Sequence, residues 1–279
     1  MTDRRRPTVS IGAGERTVAG DDRGVSDVVG YVLVFSLVTV TIGTVFGVGI
    51  VGIEDRQEDE SVANVERAFE VFDDNMRDVQ RYGDPSRSTE IRLAGGTLSV
   101  TETTAVTVRR SGDADPDVDD ERVPNATWES RTLTYASGDT TVAYESGALF
   151  RRDGDAAVML SPPRFVAADG RTTVPIVRLF AADADRQAGG TGTVQVTTTG
   201  LRSRTTRPVG AASDENLYLW VESEYADAWR RYFDRHDGFE DATDDSDDCA
   251  AADGCAVARI VHDETVYVQR YGLDVALRR

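Results

Sequence analysis

Residues 28–53 form an apolar run, VVGYVLVFSLVTVTIGTVFGVGIVGI, that contains no charged side chain. A helix rises about 1.5 Å per residue, so this run spans roughly 39 Å, somewhat more than the ~30 Å hydrocarbon core of a bilayer. An ordinary secretory signal has a shorter apolar region, with a small-residue cleavage site beyond it. The sequence therefore predicts a retained transmembrane helix over residues 25–53.

Charged residues on the two sides of the run predict its orientation. The acidic residues Glu54, Asp55, Glu58, Asp59 and Glu60 follow it, whereas the arginines Arg4, Arg5, Arg6, Arg16 and Arg23 precede it. Because basic residues stay on the cytoplasmic side, the N-terminus is predicted in the cytoplasm and the bulk of the chain outside the cell. The expected location is the cell membrane, crossed once.

The residues at the start of the run are Arg23-Gly24-Val25-Ser26-Asp27-Val28-Val29-Gly30. This stretch resembles the class III (prepilin-type) signal of archaeal type IV pilins. The resemblance implies that a prepilin peptidase cuts after Gly24, removes a cytoplasmic leader of residues 1–24 and leaves Val25 as the new N-terminus. It also implies that the helix packs with those of other pilin-like subunits in a filament core. An uncleaved single-pass anchor with a chance Arg-Gly step is the alternative.

The rest of the chain resembles uncharacterised haloarchaeal surface proteins that carry the same type of N-terminus. Its charge agrees with that resemblance, because the net charge is −18 and all 31 basic residues are Arg. Beyond residue 24 there are 26 Arg and 45 acidic residues, which gives −19. An acidic chain without Lys resembles proteins of extreme halophiles, and it excludes nucleic acid as an expected partner, since phosphate binding needs a basic surface.

Residues 54–82 have the pattern of a helical stalk that continues from the membrane. The apolar residues recur at alternating intervals of three and four, at Val62, Val65, Phe69, Phe72, Met76 and Val79. We expect this stripe to lie on the β-domain. Self-association as a coiled coil is the alternative, although the stripe covers fewer than three heptads. Gly83, followed by Pro85, is expected to end the helix.

From residue 83 to residue 279 the pattern changes to period two, with Thr- and Val-rich runs that are typical of half-buried strands. It predicts a mostly-β external domain, a sandwich or a twisted antiparallel sheet, with one short late helix at residues 224–233. A hairpin is predicted for residues 90–100 with its turn at Gly95-Gly96. A closing hairpin is predicted for residues 256–269 with its turn at Asp263-Glu264. Residues 111–124 are expected to form an acidic loop.

Two features of the external domain suggest covalent modification. Cys249 and Cys255 frame the sequence CAAADGC, and two close thiols outside a cell are expected to form a disulfide. Free thiols are the alternative, and metal ligation is a more remote one. Asn125-Ala126-Thr127 is an acceptor sequence for N-glycosylation at Asn125.

Motifs that carry catalytic or cofactor chemistry are missing from the sequence. His236 and His262 are the only histidines, and there is no HExxH, no Gly-x-Ser-x-Gly and no phosphate-binding loop. The acidic cluster at residues 241–253 lacks the spacing of an EF-hand and is expected to be solvated. Trp128, Trp220 and Trp229 are expected in the core. We therefore predict a protein that is not an enzyme, with no catalytic, cofactor-binding or metal-binding residues.

The sequence thus favours a pilin-like cell-surface subunit, such as a minor pilin or an adhesion component. The alternative is a single-pass membrane-anchored binding or sensory ectodomain that does not polymerise. The two differ in whether the chain is recovered in filaments or only in the membrane.

The charge of −19 beyond residue 24 predicts that folding depends on salt. Repulsion among carboxylates is screened over about 3 Å in molar salt but over about 10 Å at 0.1 M. The midpoint of thermal unfolding should therefore fall as salt is lowered across this range, as circular dichroism would measure. A midpoint that does not change with salt would contradict the prediction.

Overall fold

A computed structural model describes residues 22–110, 126–182, 186–205, 216–244, 249 and 254–279, with side chains for these except 22–27, 48–59, 101–102 and 202–205. The chain divides into two compact units, Met1–Arg56 and Gln57–Arg279. In chain order the elements are α1 (Asp22–Tyr82), β1 (Ser86–Arg110), β2 (Ala126–Ser137), β3 (Thr140–Glu145), β4 (Ala148–Asp153), β5 (Ala156–Ser161), β6 (Val166–Ala168), β7 (Arg171–Phe180), β8 (Gln187–Thr205), β9 (Leu217–Glu222), α2 (Ala226–Arg235), β10 (Phe239–Asp241), β11 (Cys255–Ile260) and β12 (Thr265–Arg278).

The strands of the second unit form one sheet that closes on itself. Five strands make a ring in the order β1-β8-β12-β7-β2, and β2 pairs again with β1. Branches leave this ring as β9-β11-β10 from β1, β3-β4-β5 from β2, and β6 from β7. The pairs are antiparallel except for β12 with β7. The predicted fold class, an N-terminal apolar helix followed by a mostly-β domain with one short late helix, is confirmed.

Side chains hold the closing contact of the ring, between β2 and β7. Only one pair of residues, Arg131 and Leu179, is in register between the two strands. The Leu179 backbone N–H donates instead to Ser130 Oγ at 2.9 Å, and Arg178 Nε donates to the Glu129 carbonyl oxygen at 2.8 Å. These bonds satisfy backbone groups that a regular ladder would otherwise pair.

The stalk part of α1 lies on one face of the sheet, as its apolar stripe predicted. The stripe residues are buried, and Phe69, Phe72 and Met76 are completely inaccessible to solvent. All of them except Val62 share a core with strand residues that include Leu133, Val142, Tyr144, Leu149, Val196, Leu273, Val275 and Leu277.

The end of α1 also follows the prediction. The helix stops at Tyr82, and Gly83 adopts a φ of +69°, which glycine tolerates at the residue after a helix. The Gly83 N–H donates to the Val79 carbonyl oxygen at 2.9 Å.

A second core surrounds α2. The buried residues of this helix are Ala226, Ala228, Trp229 and Phe233. They pack with residues of β1, β2, β3, β4, β7, β9, β10, β11 and β12.

The β3–β4 hairpin is the middle layer between these two cores. Val142 and Tyr144 belong to the α1 core, whereas Ala143 between them belongs to the α2 core. Since successive side chains of a strand point to opposite faces, the hairpin is covered on both sides. Aromatic rings make the contacts. The Tyr144 ring packs edge-on against Phe72 with 5.1 Å between ring centroids, and Phe150 stacks on Tyr225 with 4.8 Å between centroids.

The hairpin predicted for residues 90–100 is wrong. Residues 86–110 form the single strand β1, and Gly95-Gly96 lies at an irregularity in its pairing with β8. Gly95 has a φ of +102°, which fits a bulge as well as a turn. Gly96 lies so close to β2 that a Cβ atom there would be 2.6 Å from the Ala136 carbonyl oxygen. The two glycines let β1 shift its register against β8 and still lie close to β2.

The closing hairpin predicted for residues 256–269 is also wrong. β11 pairs with β9 and β10, whereas β12 pairs with β7 and β8. The turn at residues 263–264 therefore connects strands that separate. Buried and partly buried residues alternate along β12 to Leu277 with one interruption at Tyr271-Gly272. The strand pairs with β7 along one edge and with β8 along the other.

Substituting Gly96 tests the close approach of β1 to β2. Gly96→Ala should lower the free energy of unfolding by about 1–3 kcal/mol, because the added methyl group overlaps the β2 backbone. Gly200→Ala is the matched control, since its Cβ would lie 3.7 Å from the nearest atom, the Asp84 carbonyl oxygen. The control should change the free energy by less than about 0.5 kcal/mol. Equal effects of the two changes in denaturant unfolding would contradict this account of the bulge.

Candidate functional site

The apolar segment of α1 is the feature with the clearest functional meaning. Residues Val28–Gly47 form a helix with a mean hydropathy of 2.2, and none of it is buried within the protein. Its length and composition are sufficient to span a membrane.

Polar groups within this segment are satisfied inside the helix. The hydroxyls of Thr39, Thr41 and Thr44 donate to the carbonyl oxygens of Phe35, Leu37 and Val40 at 2.7–2.8 Å. A hydroxyl without a partner in hydrocarbon would cost free energy, so these bonds suit the segment to a lipid environment.

The predicted cleavage site lies at the start of the same helix. Gly24 and Val25 fall within α1, which begins at Asp22, and their side chains are outside the described part of the chain. The bond between them is therefore placed on the N-terminal side of the apolar segment, close to its first residue, Val28.

A buried carboxyl group, Glu145, lies at the end of β3 in the α2 core. Its side chain accepts hydrogen bonds on both oxygens: Oε1 from Ser223 Oγ and from Trp229 Nε1 at 2.8 Å, and Oε2 from Thr104 Oγ1 at 2.6 Å. Thr132 Oγ1 adds a longer bond to Oε2 at 3.4 Å. One side chain thereby links β1, β2, β3 and α2.

The surroundings of Glu145 perturb its ionisation. Burial raises the pKa of the carboxyl above its ordinary value, because a charge is costly in a low-dielectric interior, and the four hydrogen bonds oppose this effect only in part. Its partners are all neutral donors. The arrangement therefore suits a carboxyl group that holds these elements together.

A second buried carboxyl group, Asp73, attaches α1 to β5. Its Oδ2 accepts a hydrogen bond from Ser161 Oγ at 2.7 Å and forms an ion pair with Arg77 at 2.8 Å. Burial raises the pKa of Asp73, and the Ser161 hydrogen bond and the Arg77 charge oppose the increase. Asp73 therefore secures the stalk on the sheet.

Comparison with known proteins identifies the family. The family described as "Family of unknown function (DUF7289)" matches residues 23–276. The chain belongs to this family. No curated protein and no solved structure matches the chain.

The match to DUF7289 begins at Arg23 and therefore includes the Arg-Gly step, the apolar segment and nearly all of the β-domain. Residues 1–22 lie outside the match. The apolar helix and the β-domain are thus covered by one family match.

The two cysteines of this DUF7289 protein form the expected disulfide. Cys249 and Cys255 are bonded, with their Cα atoms 5.4 Å apart. Both are buried in a small cluster on the outer face of β9 and β11, against Val257 and Trp220. The bond joins Cys249 to the first residue of β11.

The remaining predicted residues are placed separately. Asn125 lies outside the described residues, and so does the acidic loop at residues 111–124. His236 follows the end of α2, and its Nδ1 accepts from the Gly238 N–H at 3.1 Å. His262 lies between β11 and β12 rather than on a strand.

Two of the three tryptophans are in the core, as expected. Trp128 and Trp229 are buried, whereas Trp220 is half-buried beneath the Arg109 guanidinium, 4.1 Å from the ring centre. The sequence patterns did not predict the burial of Glu145. The signal that could have indicated it is a single charged residue in the mostly apolar hairpin VAYESGALF.

Glu145 makes the stability of the domain dependent on pH. The pKa of Glu145 is higher in the folded protein than in the unfolded chain. The contribution of Glu145 to the free energy of unfolding is therefore complete below the unfolded pKa and is lost as pH rises through the folded pKa. Glu145→Gln removes the ionisation. Relative to wild type, the variant should gain stability as pH rises, by up to about 1.4 kcal/mol per pH unit.

Denaturant unfolding from acidic to mildly alkaline pH would measure this difference. Glu222→Gln, at an exposed position on β9, is the control and should follow the wild-type curve. A Glu145→Gln variant that differs from wild type by a constant amount at every pH would show that ionisation of this group does not matter.

Proposed function

We propose that this protein is a pilin-like cell-surface subunit, anchored by its apolar helix and without enzymatic activity. The observation that carries the proposal is the organisation of α1. One helix contains an uncharged, fully exposed segment at Val28–Gly47 and, further along, a stripe that forms part of the core of the β-domain. A helix of this kind ties an external domain directly to a membrane or to a filament core.

Processing at Gly24–Val25 is the second part of the proposal. The Arg23-Gly24 step before the apolar segment resembles the signal cut by prepilin peptidase, and the DUF7289 match includes it. Cleavage there would remove the arginine-rich leader and leave the helix on the mature chain.

Orientation follows from charge. The five arginines before the segment and the five acidic residues after it favour a cytoplasmic N-terminus and an external β-domain. The oxidised Cys249–Cys255 pair is consistent with that placement, because disulfides persist mainly outside the cytoplasm. The Lys-free acidic composition favours a function in high salt.

Changing the residue before the cleaved bond tests processing. Gly24→Phe should leave the chain longer by the leader, since a bulky side chain blocks the site. Gly20→Phe is the matched control, because it lies in the leader and should leave the mature chain unchanged. N-terminal sequencing of the membrane-associated protein should begin at Val25 in wild type and control. Cleavage that is unaffected by Gly24→Phe would contradict processing at this bond.

Polymerisation is tested separately on the processed protein. Recovery of the chain in filaments sheared from cells supports the pilin-like subunit. Recovery in the membrane fraction alone would replace it with a membrane-anchored ectodomain that does not polymerise.

A further inference from the structure

The side chain of His236 closes the turn between α2 and β10. Its Nδ1 accepts a hydrogen bond from the Gly238 N–H at 3.1 Å, which is the contact that an asparagine side chain makes when it closes an Asx turn. The His236 carbonyl oxygen accepts from the Phe239 N–H at 2.9 Å, so the side chain and the main chain of one residue hold the same turn. Among the described residues, Nδ1 is the hydrogen-bond acceptor of the Gly238 N–H.

Neighbouring groups fix the backbone of this turn. Gly238 is buried, and a Cβ atom on it would lie 2.1 Å from the Ala167 Cβ atom of β6. Its carbonyl oxygen accepts from the Val261 N–H at 3.0 Å, just beyond the end of β11. The next residue, Phe239, is 4% exposed and belongs to the α2 core. The Gly238 N–H therefore has little freedom to move to another acceptor if Nδ1 stops accepting.

Two aromatic rings hold the imidazole of His236 against the turn. The Phe239 ring lies edge-on to it with 5.1 Å between ring centroids, and the Tyr232 ring of α2 lies 5.3 Å away. In the described parts of the chain, the contacts of the imidazole are these two rings and the Gly238 hydrogen bond. None of them is a carboxylate that would neutralise a protonated ring.

The segments that adjoin the imidazole contribute the following ionisable groups. Burial raises the pKa of the Tyr232 hydroxyl, so this group remains neutral. The charged residues of these segments are Asp234 and Arg235 of α2, Asp237 in the turn, and Glu240 and Asp241 of β10. Glu240 pairs with Arg259 of β11, and Asp241 lies 3.6 Å from Arg230 of α2. β6 contains no charged residue. Both carboxylates of β10 therefore already have a cationic partner.

We infer that His236 is a pH-sensitive switch, which holds β10 in place when its imidazole is neutral and releases β10 when the imidazole is protonated. In the neutral ring that the structure requires, Nδ1 accepts and Nε2 carries the proton. In the protonated ring both nitrogens carry a proton, so Nδ1–H and the Gly238 N–H are two donors that face each other. The buried N–H then loses its acceptor, which is costly. Histidine is the side chain that changes charge in mild acid.

The strand that the switch controls is suited to local release. β10 has three residues, and among the described strands it pairs with β11 at one end of the sheet. A short edge strand opens at a lower free-energy cost than the strands in the centre of a sheet. Its release would uncover Phe239 at the margin of the α2 core. Acid would therefore expose apolar surface beside α2, whether or not the chain polymerises.

The experiment measures hydrogen exchange of the full chain in detergent micelles, at a salt concentration at which the chain is folded. Wild type is compared with His236→Asn, because asparagine can accept from the Gly238 N–H in the same turn but does not titrate. At about pH 5, peptides that cover residues 236–241 should exchange about tenfold faster in wild type than in the variant. At about pH 7.5 the two rates should agree. Comparison at equal pH removes the intrinsic pH dependence of exchange.

Two further measurements complete the test. His262→Asn changes the other histidine, which lies between β11 and β12, and it should keep the wild-type response. In wild type itself, the NMR resonance of the Gly238 amide should move with the same midpoint as the ring protons of His236. This second measurement needs no variant, so it decides the question even if His236→Asn does not fold.

Three results would overturn the inference. One is equal exchange of residues 236–241 in wild type and His236→Asn at both pH values. Another is faster exchange in acid that is spread evenly over all strands, which would assign the effect to the stability of the whole domain. The third is a Gly238 amide resonance that does not follow the titration of His236.

Discussion

Burial of the β3–β4 hairpin on both faces is the constraint on which the rest of the domain depends. Tyr144 faces Phe72 of α1, and Phe150 faces Tyr225 and Trp229 beside and within α2. A short antiparallel hairpin with two apolar faces is not stable alone in water, since an isolated hairpin is marginal even with one. This layer is therefore complete only when both α1 and α2 pack on it, which links the packing of the stalk to that of α2, far along the chain.

Glu145 is the buried carboxyl group of that hairpin layer. A carboxyl group with four neutral donors keeps its hydrogen bonds satisfied, yet its charge remains poorly solvated. Replacing the group by a neutral isostere preserves most of the bonds and removes the charge, which is why pH separates the two contributions.

The function proposed for the chain rests on a different part of the molecule. The apolar segment of α1 exposes its side chains along its whole length, and the β-domain begins further along the same helix. One helix, α1, therefore contains both the apolar segment and the stripe that packs in the β-domain core. The buried Asp73, bonded to Ser161 of β5 and to Arg77, fixes that element to the sheet.

The sequence by itself determined the apolar helix, the stalk stripe and its end at Gly83, the late helix and most strand positions, because each is a local pattern of period 3.6 or 2. It also predicted the Cys249–Cys255 disulfide with free thiols as an alternative, and the structure shows the bond. Tertiary structure decided the rest. Gly95-Gly96 suits a turn or a bulge equally, and only the neighbours β2 and β8 select the bulge. The partners of β12, the closure of the ring and the burial of Glu145 depend on residues far apart in the chain, which no local pattern records.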